Sequence, residues 1–503
     1  MKPWVALTAI VTLGLAVRLY GLTAYGVWFD EAYQIQLVQM PDVPTMIEAV
    51  LLMPPSDPLY VLLLKAWTGI FGYGDLSVRM LSVLLGTLTL PATYWLGRIM
   101  VSQTVGLVGA LMLAVSPYAV EFSQEAALYI LASLATTLAM AAGWRWRSSG
   151  SGSGLATYVI LGAMAIYSHY VASVILALFM LLGLYKQEIS SAISRRLWFI
   201  ANGTIFLLWS PWLITMLVYW ATSPQPRTSL PHTATLTEVV GALVQFSSGT
   251  AALLQGQRVL EALGLLSGAA LFFAGLFGAR REKKLGIGLI VVISALVFFL
   301  PAVVSAITGW WLFVPHFMLF LLPALLVVLA TGATCVTTGE QSPAPQIASS
   351  SSKTRYLLPA LLAPWLAAQI WGLALFHRHP PHGADGLREL TSVLRSFVRT
   401  DDLVFVTPPV LTPTLRQYYP GELRGLPVDF DLRAVYLPYD ADDWHRQSIA
   451  VLDANAAGRE RFWLVYRHEL DQGGKFLAHV TNNYREVDRH RYIYANLYLV
   501  EKP

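Results

Sequence analysis

Between residues 4 and 376 the chain alternates long apolar runs with short polar loops, and this pattern restricts the fold more than any other property. A bilayer-spanning helix needs roughly 20 apolar residues. About eleven runs meet that need, near 4–21, 76–98, 103–118, 126–144, 155–168, 170–185, 197–220, 259–278, 285–308, 311–331 and 356–376. Composition agrees: 55% of the 503 residues are hydrophobic and 13% are charged, against about 25% charged in a soluble chain. The expected fold is an α-helical multispan membrane protein. The opening stretch MKPWVALTAIVTLGLAVRLYG has the charge and apolar core of a signal peptide, but no small-x-small cleavage site follows it. It is read as an uncleaved first span. The one cysteine, Cys335, excludes an intrachain disulfide and a Cys-x-x-Cys metal site. No basic patch suited to nucleic acid stands out.

Positive charge orients the spans, because cytoplasmic loops retain Lys and Arg. With the N-terminus in the cytoplasm, the inside loops hold Lys2, Arg98, Arg145, Arg147, Lys186, Arg195, Arg196, the run ARREKK at 279–284, Lys353 and Arg355. The outside loops before residue 376 hold Lys65, Arg227 and Arg258, together with acids such as Asp30, Glu31, Asp57, Asp75, Glu121 and Glu125. Two inside segments, RSSGSGSG (147–154) and TTGEQSPAPQIASSSSKTR (337–355), read as linkers. The first outside stretch, 21–75, reads as helices lying in the outer interface, with Tyr60 and Trp67 at headgroup level.

Composition changes after residue 376, so the expected domains are 1–376 in the membrane and 377–503 outside the cytoplasm. Helical spacing at 385–398, 444–456 and 475–484 alternates with β-rich runs at 402–408, 461–467 and 491–501. That alternation predicts a small α/β domain.

Candidate chemistry sits in the outside loops. Asp30 and Glu31 begin a helix, where neighbouring side chains point about 100° apart. One carboxylate then faces a cavity as a general base while the other caps or bonds elsewhere. In SPYAVEFSQEAALYIL (116–131), Glu121, Glu125 and Tyr129 recur every four residues, which on a helix is one face. His169 lies between Tyr167 and Tyr170 at an external turn, and His316 follows Pro315 where a span opens from outside. Arg18 and Arg79 lie at outer span ends. No set of His or carboxylate ligands has clear metal spacing.

In order, WFDEAY, PPSDPLYVLLLKAWTGIFGYGDLSVRMLSVLLG, SPYAVEFSQEAALY, YSHY, LWSPWL and VPHFMLFLLPAL resemble the GT-C type polytopic glycosyltransferases. The branch they resemble is akin to protein O-mannosyltransferases and the lipid A aminoarabinose transferase. The resemblance covers roughly residues 1–376. It implies a bacterial inner-membrane enzyme that inverts the anomeric carbon as it moves a sugar from a polyprenyl-phosphate donor to a hydroxyl on an acceptor glycan, lipid or protein. It also implies that Asp30 is the catalytic base beside Glu31, and that no cofactor is required, although some relatives use a divalent metal. Arg18, Arg79, Glu121, Glu125, Tyr129, His169 and His316 become candidates for donor-phosphate or substrate binding. Two positions depart from the pattern: Ala127 and His316 stand where the family commonly has Arg, the residue best suited to phosphate. Two alternatives remain open at this level: a catalytically silent relative that binds polyprenyl lipid, and a lipid or solute transporter.

Overall fold

The structure, a computed structural model, describes residues 2–52, 57–181, 193–222, 234–281, 285–308, 314–335, 354–380, 386–430, 441–468, 471–492 and 495–503. Residues 337–353 of the expected second linker lie outside the described residues, as do 282–284 of the basic run. Before residue 380 the described residues are mostly helical. Among the described residues, four helices are long and apolar enough to cross a membrane: Asp75–Met100, Arg195–Tyr219, Arg258–Arg280 and Gly286–Thr308. A fifth span results if the bent pair Gln103–Ala114 and Pro117–Ser123 counts as one. The count of eleven is not reached by this measure, in part because Pro3–Leu19, Gly152–Ser168 and Val171–Met180 are apolar but short.

Small residues let these helices touch backbone to backbone, as membrane helices commonly require. A Cβ on Gly332 would run into the Leu271 carbonyl oxygen, and one on Gly275 into that of Val328. Helices Arg258–Arg281 and Leu322–Cys335 therefore meet at two glycines.

The apolar run at 103–118 is not one straight helix. It bends by 64° between Ala114 and Pro117, because Pro117 has no N–H to continue the ladder and crowds the preceding turn. The carbonyls this frees at Leu113 and Ala114 accept from the buried Arg18 guanidinium at 3.4 Å each. Arg18 also donates to Gly14 O and Ser123 Oγ, both at 3.1 Å.

The long stretch after the first helix forms helices Phe29–Gln39, Val43–Leu52 and Pro58–Phe71. Tyr60 is not at an interface: it is fully buried and its hydroxyl meets Ser82 Oγ at 3.0 Å. Lys65 closes the C-terminal end of helix Phe29–Gln39, donating to Val38 O and Met40 O at 3.2 and 2.7 Å.

The C-terminal region carries a five-stranded sheet of β1 (Leu403–Thr407), β2 (Leu423–Gly425), β3 (Arg461–Tyr466), β4 (Arg485–Arg491) and β5 (Asn496–Glu501). Its order is β2-β1-β3-β5-β4. β2, β1 and β3 run parallel, while β5 is antiparallel to both β3 and β4. Alternation along β1 sends Val404 and Val406 to a core shared with helices Leu387–Phe397 and Thr412–Tyr418. Leu403 and Phe405 go to the opposite core, shared with Ala441–Ala456 and Lys475–Asn483. The expected α/β layering is present, with two more strands than the periodicity suggests, β2 and β4 at the two edges. β4 is almost wholly exposed, and its charged sequence REVDRHR hides it from a hydrophobic pattern.

Candidate functional site

The adjacent carboxylates Asp30 and Glu31 are driven to different fates. Glu31 is fully buried. Arg79 grips it with Nε on Oε1 at 2.8 Å and Nη2 on Oε2 at 2.7 Å. The Ala126 N–H donates to Oε1 at 2.9 Å, and the Trp28 N–H to Oε2 at 3.3 Å, which also caps the helix start. The rest of the Arg79 fork is spent on the carbonyls of Leu22 (2.8 Å), Tyr25 (3.1 Å) and Gly26 (2.9 Å). An arginine side chain has five N–H donors, and all five are engaged. Two expectations are corrected here. Glu31 stands as a structural anchor rather than a proton acceptor, because its oxygens are already occupied. Arg79 has no N–H left for a phosphate. Arg18, buried at the helix break, is likewise built into the fold rather than presented to a ligand.

Asp30 is half-buried, and its Oδ2 accepts from the Tyr129 hydroxyl at 3.4 Å. The Tyr129 ring lies 4.5 Å from that of His316. His316 in turn meets Phe317 at 5.1 Å, and Phe317 meets His169 at 4.6 Å. Thus Asp30, Tyr129, His316 and His169, which come from four separate parts of the chain, form one row. His169 is buried at its turn and its Nδ1 accepts from the Val171 N–H at 3.2 Å. Burial, and then the nearby charge of His316, hold its ionisation well below the ordinary histidine range. It is therefore neutral and does not supply cationic cover for a phosphate, a further correction.

Glu121 and Glu125 are buried in the second loop. Together with Glu31 they raise the titration of the buried Tyr25, whose burial is the larger cause, while Arg79 lowers it. They belong to one polar cluster under residues 20–31. The expected shared helical face does not form. Helix Pro117–Ser123 stops and the next begins at Tyr129. Between them Gln124 donates to the carbonyls of Arg18 and Tyr20, both at 2.9 Å, and Ala126 gives its N–H to Glu31. Tertiary partners have taken the groups a continuous helix would use.

One buried group was not singled out by sequence. Asp57 occupies the N-cap of helix Pro58–Phe71 but makes no cap bond. Its carboxyl is 2% exposed, and neither oxygen has a well-aligned donor. The indole N–H groups of Trp209 and Trp212 and the Tyr170 N–H face it closely enough to lower its titration, but burial outweighs them and pushes the group up to about 7. Neither indole N–H has another partner. The sequence signal was the i, i+3 spacing of the two tryptophans, which sets both on one helix face.

A cavity of about 460 Å³ opens between helix Phe29–Gln39 and helix Thr412–Tyr418. Gln36, Gln39, Arg416 and Gln417 line it, with Ile35 and Phe430. Among the described residues, no group of three or more His, Cys, Asp or Glu side chains is placed to hold a metal ion.

This helical membrane body, with a first-loop Asp-Glu pair and a terminal α/β layer, has the fold of the GT-C type polytopic glycosyltransferases. The family described as dolichyl-phosphate-mannose-protein mannosyltransferase matches by sequence over residues 54–247. Among solved structures, ArnT from Cupriavidus metallidurans in the apo state superposes with a TM-score of 0.61 at 12% identity, over 99% of this chain and 97% of that one. The same protein bound to undecaprenyl phosphate gives 0.61 at 12% identity, over 99% and 98%. The archaeal oligosaccharyltransferase AglB from Archaeoglobus fulgidus, in complex with an inhibitory peptide and a dolichol-phosphate, gives 0.57 at 11% identity, over 92% and 69%. No curated protein matches the chain by sequence.

Proposed function

We propose that the protein is an inverting glycosyltransferase that takes a sugar from a polyprenyl-phosphate carrier and places it on a hydroxyl at the outer face of a bacterial inner membrane. The observation that carries this reading is the division of labour at 30–31. Glu31 is locked in an ion pair, while Asp30 stays half-exposed, held by Tyr129 beside His316. Support also comes from the fold, shared with proteins solved with undecaprenyl phosphate and dolichol-phosphate. In this reading the eleven apolar runs all span, which puts residues 377–503 outside.

Asp30 accepts the proton of the acceptor hydroxyl as that oxygen bonds the anomeric carbon. The bond from that carbon to the phosphate oxygen breaks on the opposite face, and the polyprenyl phosphate leaves with the electron pair. Its charge needs electrostatic cover more than a proton. Arg18 and Arg79 are engaged elsewhere, and His169 is neutral, so His316 takes that role.

The test is sugar transfer from a purified polyprenyl-phosphate sugar in right-side-out membrane vesicles, with an acceptor that cannot cross the bilayer. Transfer is expected without permeabilisation. Asp30→Asn is expected to lose about 100-fold or more, and Glu31→Gln to reduce folded protein instead. Activity only in inverted vesicles overturns the orientation, and near-parental turnover by Asp30→Asn removes Asp30 from the chemistry.

A further inference from the structure

The segment Leu22–Trp28 leads directly into the helix that carries Asp30, and it has no regular structure of its own before Phe29. It is held from two sides. On one side, Arg79 takes the carbonyls of Leu22, Tyr25 and Gly26. On the other stands the C-terminal region, more than 350 residues away in sequence. Arg388 donates to Thr23 O at 3.1 Å and to Tyr25 O at 2.9 Å. The Tyr418 hydroxyl accepts the Val27 N–H at 2.6 Å and donates to Asp75 Oδ2 at 2.8 Å. Asp75 begins helix Asp75–Met100, the same helix that carries Arg79, and it also pairs with Arg388 at 2.5 Å. The loop is therefore enclosed by a closed set of polar contacts.

The fit is close. Gly26 lies where a Cβ would come within 3.3 Å of Arg388 Cβ and 3.6 Å of Tyr418 Oη. The Arg388 guanidinium lies 5.2 Å from the centre of the Tyr418 ring, so each orders the other. Burial, with the Asp75 charge behind it, pushes the Tyr418 hydroxyl up to about 12. It remains a donor to Asp75 across the physiological range.

We infer that Tyr418 and Arg388 are positioning residues for Asp30, and that the C-terminal domain serves the reaction by latching the segment that aims the base. This rests on the reading of Asp30 as the base. Asp30 follows Val27 by three residues, so a loop released at Val27 and Tyr25 moves the start of its helix. Small errors of aim are costly in catalysis.

The experiment compares the full-length parent, Tyr418→Phe, Arg388→Lys and Asp75→Asn in two ways. The first readout is backbone hydrogen exchange of residues 22–28, which needs no activity. Exchange at Val27 is expected to quicken in Tyr418→Phe, while the sheet core around β1 and β3 keeps its protection. The second readout is transfer kinetics. Tyr418→Phe is expected to lower kcat about tenfold, the scale of one lost hydrogen bond with its donor left bare, with donor KM unchanged. In an Asp30→Asn background the same change is expected to cost nothing further, because a base that is absent cannot be aimed. Unchanged exchange at 22–28 overturns the latch, and so does a full tenfold loss on top of Asp30→Asn. A parent that transfers no sugar while Tyr418→Phe still frees the segment fails the proposed function and leaves the latch standing as a structural contact.

Discussion

Glu31 and Asp57 are both buried carboxyl groups of the first long loop, and the protein meets them in opposite ways. Glu31 receives four N–H donors, two of them from one arginine. Asp57 faces two indoles and a backbone amide, and none completes a well-aligned bond. A buried charge is tolerated when it is paired and fully hydrogen-bonded, and otherwise the group takes up a proton. Glu31 is thus a permanent tie between the first loop and helix Asp75–Met100. Asp57 is a group whose charge the surroundings hold back. The first makes a rigid frame beside Asp30, and the second makes a spot whose stability depends on pH.

The sharpest break of this comparison is at the tie. Arg79→Met leaves Glu31 charged and buried without its partner, a change that typically costs about 3–5 kcal/mol. Folded protein in detergent is expected to fall steeply. Glu31→Gln combined with Arg79→Met is expected to recover part of that loss, because the stranded charge is gone. Thermal unfolding of the purified variants reads this directly. A single variant as stable as the parent would show that the pair holds nothing.

Asp57 is expected to give a smaller effect, with a sign fixed by its titration. Its ordinary value is 3.8 and the folded protein raises it to about 7. Between these limits the folded state holds the proton more firmly than the unfolded chain. The stabilisation is therefore complete below about pH 4 and is lost as pH rises through about 7. Asp57→Asn removes the ionisation and keeps the shape. Its stability is expected to be flat across this window, and at pH 8 it should exceed the parent by at most about 4 kcal/mol. Melting curves at pH 5 and pH 8 make the measurement, and parallel behaviour of the two proteins would show that Asp57 is solvated.

The sequence displayed the two residue types in this contrast but not their partners. Hydropathy alone located the helices Asp75–Met100, Arg258–Arg281 and Leu285–Thr308, because a bilayer imposes a length and an apolar surface. The Ser116–Pro117 break was visible as a proline, yet the run 103–118 read as continuous, since apolarity does not register a bend. Adjacent carboxylates at 30–31 signalled two roles. The partner of Glu31 lies 48 residues away and that of Val27 lies 391 away, separations at which no local pattern survives. Arg18 and Arg79 stand at outer span ends, where snorkelling to water is enough to explain an arginine. Here carbonyls freed by a helix break and an irregular loop were waiting for them instead. Asp57 stands in the sequence as one of several outside-loop acids, with nothing local to mark its burial.

The same contrast recurs with the two histidines of the row beside Asp30, and there it bears on donor binding. His169 is buried with Nδ1 accepting the Val171 N–H, and burial keeps it neutral. His316 is half-buried, with its ring tilted against Tyr129 and edge-on to Phe317. It stands where the resembling enzymes commonly carry Arg, and Ala127, the other such position, has no charge to offer. An imidazolium attracts a phosphate and a neutral imidazole does not, so His316 would hold the donor at low pH and release it as pH rises. His316→Arg is expected to keep donor affinity and flatten its pH dependence. His316→Ala should weaken binding about fivefold at pH 5.5, the upper range for a solvent-screened ion pair, and little at pH 8.5. Binding of undecaprenyl phosphate to the purified parent and both variants across pH is the measurement. Three overlapping curves would reduce His316 to packing against Tyr129, and the phosphate would then have to be held by backbone N–H groups or by a bound cation.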